Sequence, residues 1–494
     1  MSKQLRKALT DELQRRHGYK VMETKIKPVH IANALMRSEH RVVGRMSVLQ
    51  QLFEGTLARN SLDKRVAAVR SMIDSQRDRW GALGQASDLK ASPLMTKVLP
   101  LIRTLLGADG AAFGTSPDLS SFSSPTALTV TGDPSDDGAG AFIHSLWGGH
   151  AEASRLPILD LLSGLSSPTK DAAQMDDLSA LLAPLVDKTR PRSSTAALSE
   201  EEVVYSPVEQ RLRHAANRLC AYERELQPNP ISSLQRIVLL AALSMFAHAA
   251  TRAHENAGAM ERVLLLDASN DHYSPIAQAS TRCVAHLLGD ASDYMASVLN
   301  DLLTAQVSDW PEMPLGALNK LLEGAGLPPL ERNSPLARRI EEIAADAEDP
   351  EEIRREVADE LIRQAEGSQR RGLDGYLRML GIRAGFLYPI QKNPHKRLNP
   401  ADRTLEVLVA TAIDVAAPPV EYRDFLEQLR QQWGVVVGGR IDDAGELARA
   451  GIQVPPRALS ENSERFLTRL ESLGLARRLA DSVAVVGLVE ANNE

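Results

Sequence analysis

The sequence predicts a mainly α-helical, multidomain protein that ends in a winged-helix-like module. Three observations carry this. Aromatic residues make up only 4% of the chain and apolar residues 43%, so cores must be built from Leu, Ala, Val and Ile, a choice that favours helices over sheets. Apolar residues recur at three- and four-residue spacings through most of the length. The stretch from Asn399 to Val489 departs from that pattern only at its end. There, three helix-like segments give way to LARRLADSVAVVGLV, two short apolar pieces around Ala480-Asp481-Ser482, the pattern of a hairpin.

A chain of 494 residues has room for roughly two to four domains, each with its own core. Residues 1–106 read as a basic helical domain, with amphipathic segments near Lys3–Arg16, Val29–Arg37 and Val42–Leu57. A longer helix from Leu62 to Gly81 sets Val66, Val69, Met72 and Ile73 on one side. Residues 107–200 are rich in Gly, Ser, Pro and Asp and predict an irregular insertion or linker, with one short strand at Ala127–Thr131. Within it, Phe142, Leu146 and Trp147 form a short docking anchor, and Ser199, followed by Glu200, Glu201 and Glu202, has the form of a helix start.

Residues 201–382 read as a helical middle domain, whose Ile237–Ala247 run is apolar enough for a central helix buried on most sides. From Leu336 onward, opposite charges three and four apart mark a solvated helical hairpin broken at Pro350. Residues 383–494 combine a basic arm with the terminal module. Its helices are expected around Ala401–Asp414, Val420–Trp433 and Ser463–Leu473, with a short strand and turn at Val435–Arg440.

Several function classes find no support. Cys220 and Cys283 are the only cysteines, which fits a reducing compartment and excludes a disulfide scaffold. The charged start lacks the apolar run of a secretory signal, and Arg236 interrupts the segment nearest to a membrane span, so a cytoplasmic protein without a membrane partner is expected. No Walker-type or dinucleotide-binding glycine loop occurs, and no cofactor is expected. Cys220, Cys283, His214 and His286 lack the tight CxxC turn of a structural zinc site, so no metal is assigned. Asp271, His272 and Tyr273 read as a turn before a helix opened by Ser274-Pro275, and no catalytic residue is assigned.

Charge is distributed unevenly. Between Met1 and Arg103 twenty Lys and Arg face nine Asp and Glu, so the remainder of a chain with net charge −7 carries about eighteen negative charges. The proline-rich segment from Arg383 to Arg403 adds a second basic stretch. Arg383, Lys392, His395, Lys396, Arg397 and Arg403 there are candidate phosphate contacts, joined by Arg465, Arg469, Arg477 and Arg478 around the last helix. Asn462 is the one amide near that helix suited to a base edge.

In broad style the chain resembles helical accessory proteins of bacterial antiphage defence operons that carry a terminal winged helix. The resemblance implies a non-catalytic, DNA-associated accessory subunit with double-stranded DNA and other protein subunits as partners. Two further readings stand beside it: a protein-binding scaffold without nucleic-acid contact, and a cryptic metal-dependent nuclease built on dispersed acids.

Overall fold

A spacing of four between Leu5, Leu9 and Leu13 puts all three on one face of the first helix, α1 (Ser2–His17), and that face is buried. The computed structural model describes residues 2–22, 26–40, 42–43, 61–75, 89–98, 100, 136–166, 192–193, 204–226, 230–256, 262–269, 271–324, 326, 328–366, 372–391, 393–415, 417–479 and 483–487. Over these the chain is mainly helical, with strands of two or three residues. Helix α2 (Pro28–Glu39) follows α1, and α3 covers Leu62–Ser75. Between them Val42–Val43 is a strand, β1, paired antiparallel with β2 (Arg192–Ser193). The helix expected over Val42–Leu57 therefore does not begin there, as adjacent β-branched residues suit a strand better. The rest of that segment, Ala127–Thr131 and Ser199–Glu202 lie outside the described residues.

The anchor in the Gly/Ser-rich segment is real. Helix α4 (Ala139–Leu146) packs on α2, and Trp147 is fully buried at its end. Asp136, read from sequence as part of a flexible run, is buried and pairs with Arg37 at 3.1 Å. Helix α5 (Pro157–Ser166) then lies between α2 and α6 (Pro207–Leu226). A Ser-Pro step opens α6: Glu209 Oε2 accepts hydrogen bonds from both the backbone and hydroxyl of Ser206, at 2.7 Å each.

Helix α7 (Pro230–Asn256) is the predicted central helix, with nearly every side chain from Leu234 to Ala250 buried. Among the described residues it is the one helix long and apolar enough to cross a membrane. Arg236, the charge in its apolar run, is neutralised in place. Its Nε lies 2.5 Å from Glu223 on α6, and its Nη1 lies 2.9 Å from Glu406. Helix α8 (Pro275–Gln306) packs along α7 and starts at Ser274, whose hydroxyl caps Ala277. Helices α9 (Pro314–Gly324), α10 (Pro335–Asp346) and α11 (Pro350–Glu366) follow, the last two forming the hairpin broken at Pro350. Helix α12 (Leu373–Arg383) returns to α7 and α8.

Four short strands gather beside the start of α8. β3 (Leu264–Leu265) runs parallel to β7 (Val435–Val436), and a single bridge from Leu266 to Leu398 continues the pairing to β5 (Arg397–Leu398). β5 pairs antiparallel with β4 (Leu387–Tyr388). The terminal segment runs α13 (Asp402–Ala412), β6 (Val420–Glu421), α14 (Tyr422–Trp433), β7, α15 (Asp443–Arg449), α16 (Pro456–Ser472), β8 (Ala476–Arg478) and β9 (Ala484–Val486). Its three outer strands form an antiparallel sheet in the order β6-β9-β8. Buried apolar side chains from Leu5 to Val486 belong to one contiguous cluster.

Candidate functional site

The sequence-predicted cations converge only in part. Strand β5 carries Arg397 into the protein, where its Nε lies 2.9 Å from Asp267 at the end of β3. Both residues are buried, so this pair is removed from solvent. Asp267 Oδ1 also accepts hydrogen bonds from the Ser269 backbone and hydroxyl, at 2.8 and 2.5 Å. Ser269 Oγ lies 2.8 Å from Ser274 Oγ, so a continuous polar chain joins Arg397 to the cap of α8.

At the Arg397 end lies a cavity of about 280 Å³ lined by His272, Tyr388, Ile390, Arg397, Asn399 and Arg469, with Gly385, Leu387, Pro400 and Ala401. The His272 and Tyr388 rings stack at 6.1 Å, and the Arg397 guanidinium lies 5.1 Å from the Tyr388 centroid. Arg469 on α16 bonds to Asp402 at 2.7 Å, to Asn399 at 3.1 Å and to the Pro400 carbonyl at 2.5 Å. Each guanidinium in this cavity is thus matched by a carboxylate. The Ser269 and Ser274 hydroxyls are engaged within the loop, and the His272 ring is stacked on Tyr388.

The remaining candidates point elsewhere. Lys396, expected as a phosphate contact, is buried, and its Nζ donates to the carbonyls of Pro389 and Gln391. Burial lowers its pKa, with Arg378 adding to the effect. Arg383 is held by the Ile26 carbonyl at 2.7 Å, and burial lowers its pKa too. Arg403 bonds to Gln235 on α7, and Arg465 to the Ser269 carbonyl at 3.4 Å. Arg478 pairs with Glu464 and Glu471 at 3.1 Å each, and its bond to Glu464 raises its pKa. His395 and Arg477 are exposed, and Lys392 lies outside the described residues.

Asn462, expected near base edges, is buried instead. Its Nδ2 donates to the carbonyls of Leu266 and Val437, and its Oδ1 accepts from the Ala268 N–H at 2.9 Å. Helix α16 is thereby clamped onto the ends of β3 and β7. The contact is close: a Cβ on Gly438 would meet the Leu459 carbonyl at 2.4 Å, and the φ of Gly438 is +99°.

Sequence reasoning missed Asp267 and the pairing role of Asp402. Their signal was weak, because a lone acid after an apolar strand looks like any loop residue. The cysteines lie apart on α6 and α8, and burial raises both thiols, Cys283 to about 11. Among the described residues no group of three or more His, Cys, Asp or Glu gathers to hold a metal ion. Comparison with protein-family models, curated proteins and solved structures returns no match to this chain.

Proposed function

We propose that this chain is a non-catalytic accessory subunit that works by docking other proteins, with the edge formed by Tyr273, Tyr388, Ile390 and the terminal module as the docking face. The internal use of cations on the arm and around the last helix is the observation that carries this reading. Lys396, Arg397, Arg469 and Arg478 are all committed to acceptors within the chain, which leaves little free charge for a phosphate backbone. The same edge exposes apolar surface instead, with Tyr273 87% and Ile390 65% accessible. The solvent face of α16 is also balanced, since Arg457 pairs with Glu461 at 2.9 Å.

A second reading, a DNA-associated subunit, draws on the terminal topology. The order helix, strand, helix, strand, two helices and a ribbon, with sheet order β6-β9-β8, supports a winged-helix reading, and Arg477 is exposed on the ribbon. A place in a multisubunit bacterial complex, as in antiphage defence, is compatible with either reading.

Photo-crosslinking residues placed at Tyr273 and Ile390 in cells, beside a duplex titration at two salt concentrations, separate the two. Protein docking predicts discrete protein adducts from both positions and no saturable duplex binding. Duplex affinity that falls steeply with salt and weakens in Arg477→Glu, with no adducts, overturns the docking reading.

A further inference from the structure

Where α6 and α7 meet the C-terminal end of α14, a cavity of about 360 Å³ opens beside the entry to β3. This volume lies in the range of small-molecule sites. Its charged lining is Arg211, His254, Glu255, Arg262 and Arg430. Two of these are already balanced: Arg430 Nε lies 2.7 Å from Glu446, and His254 Nδ1 lies 2.6 Å from Asp290. Glu255 is exposed at the rim. Among the described residues, Arg211 and Arg262 remain as two guanidiniums without a paired carboxylate of their own.

Arg262 is the less ordinary of the two. Its Nη1 is buried and has no hydrogen-bond partner among the described residues. Its position is imposed by the backbone, because Leu264 N–H bonds to the Gly434 carbonyl at 2.9 Å as β3 begins. Gly434 ends α14 with φ +68°, and a Cβ there would come within 2.8 Å of the Arg262 carbonyl. The chain therefore cannot easily withdraw Arg262 from the wall. Burial, and then the like charge of Arg211, hold its guanidinium down to about 10, with Asp290 offsetting this in part. Val208, Leu212 and Trp433 supply the apolar part of the lining.

We propose that this cavity binds a small organic oxyanion, a phosphate or carboxylate on an apolar body. Arg262 and Arg211 hold the anion, and Val208, Leu212 and Trp433 cover the body. An anion supplies the acceptor that Arg262 Nη1 lacks and relieves the repulsion between the two guanidiniums. The site lies apart from the docking edge and does not depend on that reading.

Calorimetric titration of the full chain with phenyl phosphate, benzoate and the neutral benzyl alcohol tests it, with Arg211→Gln and Arg262→Met alongside. Arg211 is exposed, so its variant keeps the fold, which circular dichroism verifies. Saturable binding of at least one anion is expected, weakened about tenfold or more in each folded variant, with the alcohol silent. Phenyl phosphate alone binding identifies a phosphate ligand, and benzoate alone a carboxylate. No saturable heat up to about 10 mM of either anion, affinity unchanged in Arg211→Gln, or equal binding of the alcohol overturns the proposal.

Discussion

Acid should loosen this protein through two histidines that its core holds neutral. His17 on α1 and His248 on α7 are 2% and 1% exposed, their ring centroids lie 5.7 Å apart, and none of their ring nitrogens has a hydrogen-bond partner among the described residues. Tyr19, Phe142 and Tyr294 pack around them. Burial pushes both down to about 3, with His248, Arg252 and Arg16 adding to the effect at His17 and Arg252 at His248. Glu209 Oε1 is 3.9 Å from His248 Nε2, too far for a hydrogen bond, and its pull on a proton is outweighed.

Unfolding returns both rings to the ordinary histidine value of about 6.5. The unfolded chain then binds more protons than the folded one between pH about 6.5 and about 3. Stability is therefore full above that window and declines as pH falls through it. At about 1.4 kcal/mol per unit, moving from pH 7 to pH 5 removes about 2 kcal/mol per histidine and about 4 for the pair. That is a large share of a total of about 5–15 kcal/mol. Urea unfolding followed by circular dichroism at both pH values measures the loss. Subtracting the loss in a His17→Phe/His248→Phe double variant removes the contribution of all other groups, and a difference of about 4 kcal/mol is expected. A double variant that loses as much between pH 7 and pH 5 as the parent chain refutes the reasoning.

Glu223→Gln removes the principal partner of buried Arg236, and should cost about 3–5 kcal/mol, read as a fall in melting temperature; Arg236→Met combined with Glu223→Gln should recover much of it. Asn462→Ala abandons two carbonyls and one N–H at the β3–β7 ends, for a loss of about 3 kcal/mol. Hydrogen exchange at Ala268 should accelerate in that variant, and unchanged protection there counts against the clamp.

Among the described residues, charge is largely met by local pairing rather than left as a field. Arg37 with Asp136, Arg155 with Glu39, Arg236 with Glu223, Arg397 with Asp267 and Arg469 with Asp402 each bring a cation to a specific acid. Even in the basic front lobe, Arg16 is met by Glu12 and by Asp301 on α8. For these described residues, a count of charges along the sequence overstates what they offer a polyanion.

The sequence by itself determined the helical character, the central place of α7, the hairpin broken at Pro350 and the closing ribbon. These follow from periodicity, proline and capping, which act over a few residues and are written where they act. The start of α6 is written locally as well, because Ser206-Pro207-Val208-Glu209 carries a capping box. Only the tertiary structure decided which polar residues are free. Arg397 and Asp267 are 130 positions apart, and Asn462 and Leu266 are 196 apart, so no local pattern announces either partnership. Nor does composition reveal that Arg262 is held in a wall by a glycine from another helix. The physical reason is that ion pairing and burial depend on where distant segments meet, whereas helix formation depends mainly on neighbours along the chain.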